Sequence, residues 1–552
     1  MSAVDRGAPS PLTRPTDAAR PTDGGHAAPS RRTMIVAAAW SVPVIAVASA
    51  TPARATSADS TLTIDVVATT ITAGGTGGTG TSDVVVTVLD SQGRPWAGQP
   101  VTLTVSPGRL TFGATTGITD ATGRFTTTLT AAADAPGGIR TVTATSDVLT
   151  ASDTVSVLGS DVLATGSNAQ GSLGTGTTTT ISTPAITARV FPAPVSKIAQ
   201  GSNYTLFLLQ DGTVWSAGTA TTGGLGLGAT TTTSTPTRIA SLSGVTDIAA
   251  GQGASYAVLS TGEVRSWGLN SSGQLGDGTT TDRTTPVVVR ATGTAGAALT
   301  GVAQIVSGGE SAYALTTSGQ VRSWGLNSNG QLGDGSTTNR SNPVTVLAVG
   351  GAAGSALTGV TQLAGGDLTG YALLSNGEVR SWGNGGLGAL GNNSSGTGIQ
   401  STAPVVVVAV GGTGALTGVT QIAAAGQSAY ALAGGQVRAW GNGNNAQLGN
   451  ATNVGSAAAP VVVQAVGGGG ALTGVAEISA GFYNGYARLT SGGVVGWGHN
   501  TSGQLGNGTT ATYQTTPAPM TVPAGRTVRG LAETGSRVAS GVGGSMAVIL
   551  AP

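Results

Sequence analysis

From residue 60 to the C terminus, apolar residues fall in short runs of alternating pattern, cut by Gly, Pro, Asn and Asp. Leu62 to Val67, Val84 to Leu89, Val101 to Val105, Phe125 to Leu129 and Val142 to Thr145 read as half-buried strands. Ser91-Gln92-Gly93 and Asp120 to Gly123 read as the turns between them. The spacing predicts a β-sandwich over 58–158. Beyond it the pattern becomes a repeating cycle: a Val-x-x-Ile run, a Tyr-Ala run and a Val-x-x-Trp-Gly run, then a turn and a Pro. Each unit offers about four short strands, the content of one propeller blade. The fold class predicted is all-β.

The repeat is clearest in Trp267-Gly268-Leu-Asn270-Ser-Ser-Gly273-Gln-Leu275-Gly276 and in Trp324-Gly325-Leu-Asn327-Ser-Asn-Gly330-Gln-Leu332-Gly333. Trp382, Trp440 and Trp497 open three further copies, and Thr165 and Ala217 replace the Trp in two. A Leu-Gly step marks every copy, at Leu173, Leu225, Leu275, Leu332, Leu390, Leu448 and Leu505. The last copy lacks its Val-x-x-Trp-Gly strand, and Val162-Leu-Ala-Thr165-Gly166 supplies one. Aligning Val538 to Val548 with Ile248 to Val258 makes the two chain ends share a blade. Sharing covers edges that would otherwise invite pairing with another chain. A seven-bladed β-propeller over 160–552 is expected, preceded by the sandwich.

The unit Val-x-x-Trp-Gly-x-Asn-x-x-Gly-Gln-Leu-Gly resembles the regulator of chromosome condensation (RCC) repeat. Many members carry a His before the Val-x-x-Trp strand; Tyr204 and Ala254 stand there in two copies. The stretches Asp90 to Val101 and Thr119 to Phe125 resemble bacterial Ig-like domains of invasin and intimin type. That second resemblance implies a stalk holding a binding head away from a cell.

Composition narrows the function. Charged residues are 9% of the chain and the net charge is +1, so no basic field would gather nucleic acid. With no Cys, disulfides, thiol nucleophiles and Cys-ligated metals are excluded. Residues 1–55 carry Arg31-Arg32, an apolar run to Ala50 and small-residue cleavage patterns ending at Ala50 and Ala55. These are the parts of a secretory signal, and the Arg pair resembles the twin-arginine motif. The expectation is a bacterial secreted or cell-surface protein cleaved near Ala50 or Ala55, with no membrane span in the mature chain. An uncut N-terminal anchor is the alternative. The mature chain is expected to be a monomer.

Candidate chemistry is sparse. One His, His499, remains after the signal, so no multi-His metal site exists, and no metal or cofactor is expected. Gly383 to Gly388 spells G-x-G-x-x-G but lies in a β turn, not between strand and helix. Asp277 to Asp282 and Asp334 to Asn339 lack calcium-loop spacing. The Trp row at 267, 324, 382, 440 and 497 is expected to pack between blades. Trp96 is expected to fold over the sandwich edge. Arg265, Arg322, Arg380 and Arg438 each stand two residues before a blade Trp, with Trp215 at the same place one copy earlier. They predict an arc at one height of the ring, suited either to a protein partner or to stems packed between blades. The function expected is non-enzymatic binding of an extracellular protein or glycan. Alternatives are a secreted inhibitor of a hydrolase, since the repeat also resembles propellers that block β-lactamase, and a glycan lyase or hydrolase using Glu263 or Glu378.

Overall fold

The computed structural model describes residues 53–551, apart from 58–59, 68–69, 73–80, 107–109, 132–137, 148, 159–161, 187–190, 220, 352–353, 523–526 and 535–544. The signal segment, with its Ala50 cleavage pattern, lies outside the described residues. Ala55 lies within a strand, Ala53–Ser57, that pairs antiparallel with Ser60–Val66.

Two five-stranded sheets come first. One orders its strands Ala53–Ser57, Ser60–Val66, Thr81–Leu89, Arg124–Ala131, Leu110–Phe112; the other orders Thr70–Thr72, Leu149–Leu158, Gly138–Ser146, Pro100–Val105, Thr116–Ile118. Alternation sends Val84, Val86 and Val88 into one apolar core with Leu62, Leu103, Val142 and Val155. The two hinted turns form as read, with the Asp90 and Asp120 carboxylates accepting backbone N–H bonds from Gln92 and Thr122. Trp96 departs from expectation. It is 41% exposed, because its loop is held by backbone bonds to Val88 and Thr119 rather than by ring burial.

Among the described residues seven further sheets follow. Five are continuous in sequence, such as Val302–Gly308, Ser311–Thr316, Val321–Gly325 and Arg340–Thr345, hydrogen-bonded in that order from inner to outer strand. Another orders Thr233–Arg238, Val214–Gly218, Tyr204–Leu209, Val195–Gln200, with Glu533–Thr534 added in parallel on its inner edge. The remaining sheet joins the chain ends: Ile181–Ile186, Val162–Gly166, Ser545–Ala551, Thr527–Leu531. Its inner strand is therefore Thr527–Leu531, not the segment from Val538, most of which falls outside the described residues. Val528 and Leu531 provide both apolar places of the Val-x-x-Ile run, whereas with Val538 set on Ile248 the first place falls on Gly535.

Two irregularities recur and explain the motif. The Trp-Gly strand shifts register before its Gly, and Gly268 takes φ 103° there. A Cβ at Gly268 would lie 2.1 Å from the Gly253 carbonyl oxygen, so only Gly fits. Bulges also interrupt each inner strand, as between Val302 and Gln304. A bulge re-aims the residue after it.

Between sheets the Trp row is fully buried. Trp382 Nε1 donates to the Gln331 carbonyl of the preceding sheet at 2.9 Å, and Tyr313 Oη donates to the same oxygen at 2.8 Å. Trp324 with Tyr256 on Gln274, Trp440 with Tyr371 on Ala389, and Trp497 with Tyr430 on Gln447 repeat this. Each Trp–Tyr pair meets edge to face, with centroids 5.8–6.2 Å apart. Burial pushes the Tyr313 and Tyr371 hydroxyls well up, so both remain protonated donors. Thr165, in place of a Trp, donates its hydroxyl to Gly503 at 2.8 Å. Leu275, Leu332 and Leu505 are buried beside these contacts.

Candidate functional site

The four arginines occupy one register. Arg265 lies opposite Ala257 and Val288, Arg322 opposite Ala314 and Thr345, Arg380 opposite Ala372 and Val406, Arg438 opposite Ala431 and Val462. All four start the strand that leaves the same ring face, here called the lower face. Each arginine is half-buried and each head finds a local acceptor. Arg265 pairs with Glu263 at 2.9 Å, Arg380 with Glu378 at 2.5 Å, Arg438 bonds Gln436 at 2.9 Å, and Arg322 bonds Thr345. Donors remain over: Arg265 Nη1 and Arg380 Nε are buried without a partner. Trp215 does not extend the half-buried arc. It is 6% exposed, its indole set edge-on to Phe191 at 6.0 Å in a core that also holds Phe207 and Ala217.

Glu263 and Glu378 are not brought together. They lie in sheets separated by a third, each bound to its own Arg. The Arg380 hydrogen bond holds the Glu378 carboxyl below its ordinary value. A glycosidase acid needs the opposite shift. The turn at Asp277 is likewise closed, its carboxylate taken by Thr279 and Arg283. Among the described residues no group of three acidic or His side chains could hold a metal ion.

Small residues line the ring's axis: Ala199, Ala250, Ser307, Gly365, Ala424 and Ala480 around a cavity of about 70 Å³. Room for solvent remains, but not for a polymer. Sequence reading missed what holds this axis. In six of the seven inner strands the residue after the bulge is polar and clasps the next sheet; in Thr527–Leu531 it is Gly530. Gln304 Oε1 accepts from Leu363 N at 2.9 Å, Gln362 Oε1 from Ile422 N at 2.8 Å, and Gln421 Oε1 from Ile478 N at 2.9 Å. Asp247 accepts from Ile305 N at 2.8 Å and also from Lys197 Nζ at 2.5 Å. Glu477 closes the series on Leu531 N at 3.0 Å, in the sheet shared by the chain ends. A polar third residue in six of the Val-x-x-Ile runs was the available signal.

His499 lies on the opposite, upper face, 1% exposed. Gln504 Oε1 accepts from Ser502 N, so Gln504 Nε2 faces His499 Nδ1 at 2.9 Å and donates to it. That ring nitrogen must be unprotonated, and burial lowers the His499 pKa. A His with a lowered native pKa binds fewer protons folded than unfolded. Stability is therefore full above the unfolded value near 6.5 and declines as pH falls through it, levelling off below the native pKa. The urea midpoint is expected to drop between pH 7.5 and 5 by more in the wild type than in His499→Asn, the residue at Asn384 and Asn442 in two neighbouring repeats. Equal drops in both proteins would refute this account.

Comparison with known proteins agrees with this geometry. Models of the regulator of chromosome condensation (RCC1) repeat match residues 211–258, 261–315, 318–373 and 491–548, and a second form matches 245–274, 302–331 and 475–504. The human E3 ubiquitin-protein ligase HERC2 is 32% identical over 212 residues, 38% of this chain and 4% of that protein. The Ultraviolet-B receptor UVR8 of Arabidopsis thaliana is 31% identical over 206 residues, 37% of this chain and 43% of that protein. The chain thus spans less than half the length of each. Among solved structures, human WBSCR16 aligns with TM-score 0.58 and 23% identity, covering 71% of this chain and 99% of that one. Yeast RCC1 (Prp20), bound to Kap60, aligns with TM-score 0.56 and 19% identity, covering 71% and 89%. The chain carries RCC1 repeats, and they fold as an RCC1-like β-propeller.

Proposed function

We infer that this chain is a non-enzymatic recognition protein, exported from a bacterial cell, in which an Ig-like sandwich presents a seven-bladed propeller to an extracellular partner. The order of sheets supports that architecture, and the N-terminal Arg pair, apolar run and Ala-x-Ala patterns support export. The named relatives include a ubiquitin ligase and a light receptor, so the repeat is a scaffold and its function resides in surfaces grafted on it.

The observation that carries the reading is the arginine arc. Its guanidinium heads are preset by local acceptors in one register, and each side chain is partly exposed. Rigid Arg of this kind loses little freedom on binding and is enriched among residues that dominate interfaces. A partner presenting carboxylates or carbonyls at the lower face fits it.

The test is a pull-down from culture supernatant and cell-wall extract with the wild-type chain and with Arg265→Ala/Arg322→Ala/Arg380→Ala/Arg438→Ala. The wild type is expected to retain a specific protein, and the variant to bind it at least about 100-fold more weakly, equal to losing two contacts of about 1.4 kcal/mol each. Equal capture by both would remove the arc from the interface.

A further inference from the structure

The last of the five continuous units, Val475–Pro519, departs from its neighbours at four positions that meet in space. After the inner strand, Phe482 stands where other copies carry Gln252, Gly309, Asp367 or Gly426. Tyr483 stands at the place of Gly253, Glu310, Leu368 or Gln427. His499 follows Trp-Gly where Leu269, Leu326, Asn384 or Asn442 follow it elsewhere. Tyr513, set four residues before its Pro, takes the place of Asp282, Asn339, Gln400 or Ser456.

In the fold these become a row of rings on the upper face. Phe482 and Tyr483 meet at 4.4 Å and 78°, Tyr483 and His499 at 6.0 Å, and His499 and Tyr513 at 6.0 Å and 66°. Repeat packing does not require them, since the same scaffold stands elsewhere with Gly, Gln, Asn and Ser in their places. Tyr513 is 38% exposed, and Phe482 and Tyr483 are half-buried. His499 fills the floor between the tyrosines, fixed by Gln504.

Two features select the ligand. Where neighbouring repeats place Asp282, Glu310 or Asp367, this one places only uncharged groups, so nothing here attracts an ionic partner. The patch is also small. A stable protein contact buries roughly 800 Å² per side, and three partly covered rings offer far less. Rings with hydroxyl-bearing edges, two short steps apart, match the apolar C–H faces and hydroxyl rims of sugar units. We propose that Phe482, Tyr483, His499 and Tyr513 form a binding site for a neutral glycan, the outer tyrosines stacking on pyranose faces. The inference rests on the reading of the chain as a recognition protein and gives it a second contact surface, on the face opposite the arginine arc.

The test is affinity electrophoresis of the full chain in gels containing amylose, xylan, galactomannan or soluble chitin oligomers, with alginate as the charged control. At least one neutral glycan is expected to retard the wild type. Tyr483→Gln/Tyr513→Ser, which borrows the residues of the preceding repeat and so preserves the fold, is expected to lose at least about tenfold in affinity. The proposal is overturned if no neutral glycan retards the chain, if the double variant is retarded equally, or if alginate alone is bound. It also fails if the double variant instead loses a protein captured by the wild type. Arginine-dependent capture of a protein would survive every one of those outcomes, so the two readings fail separately.

Discussion

Deleting Ser545–Pro552 is expected to abolish cooperative folding of the propeller. The lost strand lies between Val162–Gly166 and Thr527–Leu531 and hydrogen-bonds to both. Its removal exposes two strand edges and takes Met546, Val548, Ile549 and Leu550 from cores in which each is at most 4% exposed. At roughly 1.5–3 kcal/mol for each large side chain, the loss rivals the 5–15 kcal/mol that stabilises a whole domain. Neighbouring sheets share in it, because Glu477 and Thr165 clasp this one from the sheet before or reach back to it. The truncated chain should bind a hydrophobic dye, aggregate through its open edges and show no sharp propeller transition in calorimetry. A transition within a few degrees of the full-length chain would mean that the shared sheet does not hold the ring.

The repeat made most of the fold legible. Trp, Leu and Pro recur because each solves one packing problem that every sheet interface poses, so register is visible without coordinates. The Trp-Gly step was legible as a motif, but its cause, a bulge that leaves no room for a Cβ at Gly268, was not. The inner strand of the shared sheet was misplaced for an instructive reason. The long stretch between Thr527–Leu531 and Ser545–Ala551 breaks the otherwise short connection, and Val538 imitates the Ile that ends a Val-x-x-Ile run. The Gln clasps escaped notice because one polar residue in an apolar strand looks incidental until a bulge turns it toward the next sheet.

The candidate surfaces divide along the same line. The arginine arc was legible because it repeats, yet repetition is also what a packing role produces, and the four side chains are half-buried. Trp215 looked like part of the arc by position and is buried in a core with Phe191 and Phe207. The aromatic row was invisible for the opposite reason: it is a set of exceptions, scattered over some thirty positions between Phe482 and Tyr513 and joined only by the fold. In a repeat protein, shared residues report the scaffold, and clustered departures from the repeat report what one unit does alone.

Trp382→Ala tests the scaffold at its strongest point. The indole is fully buried, edge-on to Tyr313 with centroids 5.9 Å apart, and one of two donors to the Gln331 carbonyl. Large-to-small aromatic replacement in a core costs about 3–5 kcal/mol, and a ring sealed between two sheets has little freedom to collapse. Tyr313→Phe should cost only about 1 kcal/mol, since Trp382 still satisfies that oxygen. Combining the two removes both donors and leaves a buried carbonyl unpaired, so the double variant should lose about 1 kcal/mol or more beyond the sum of the singles. Urea unfolding followed by near-ultraviolet circular dichroism gives all three values. Strict additivity, or a Trp382→Ala cost below about 1 kcal/mol, would show that the shared carbonyl is not what binds one sheet to the next.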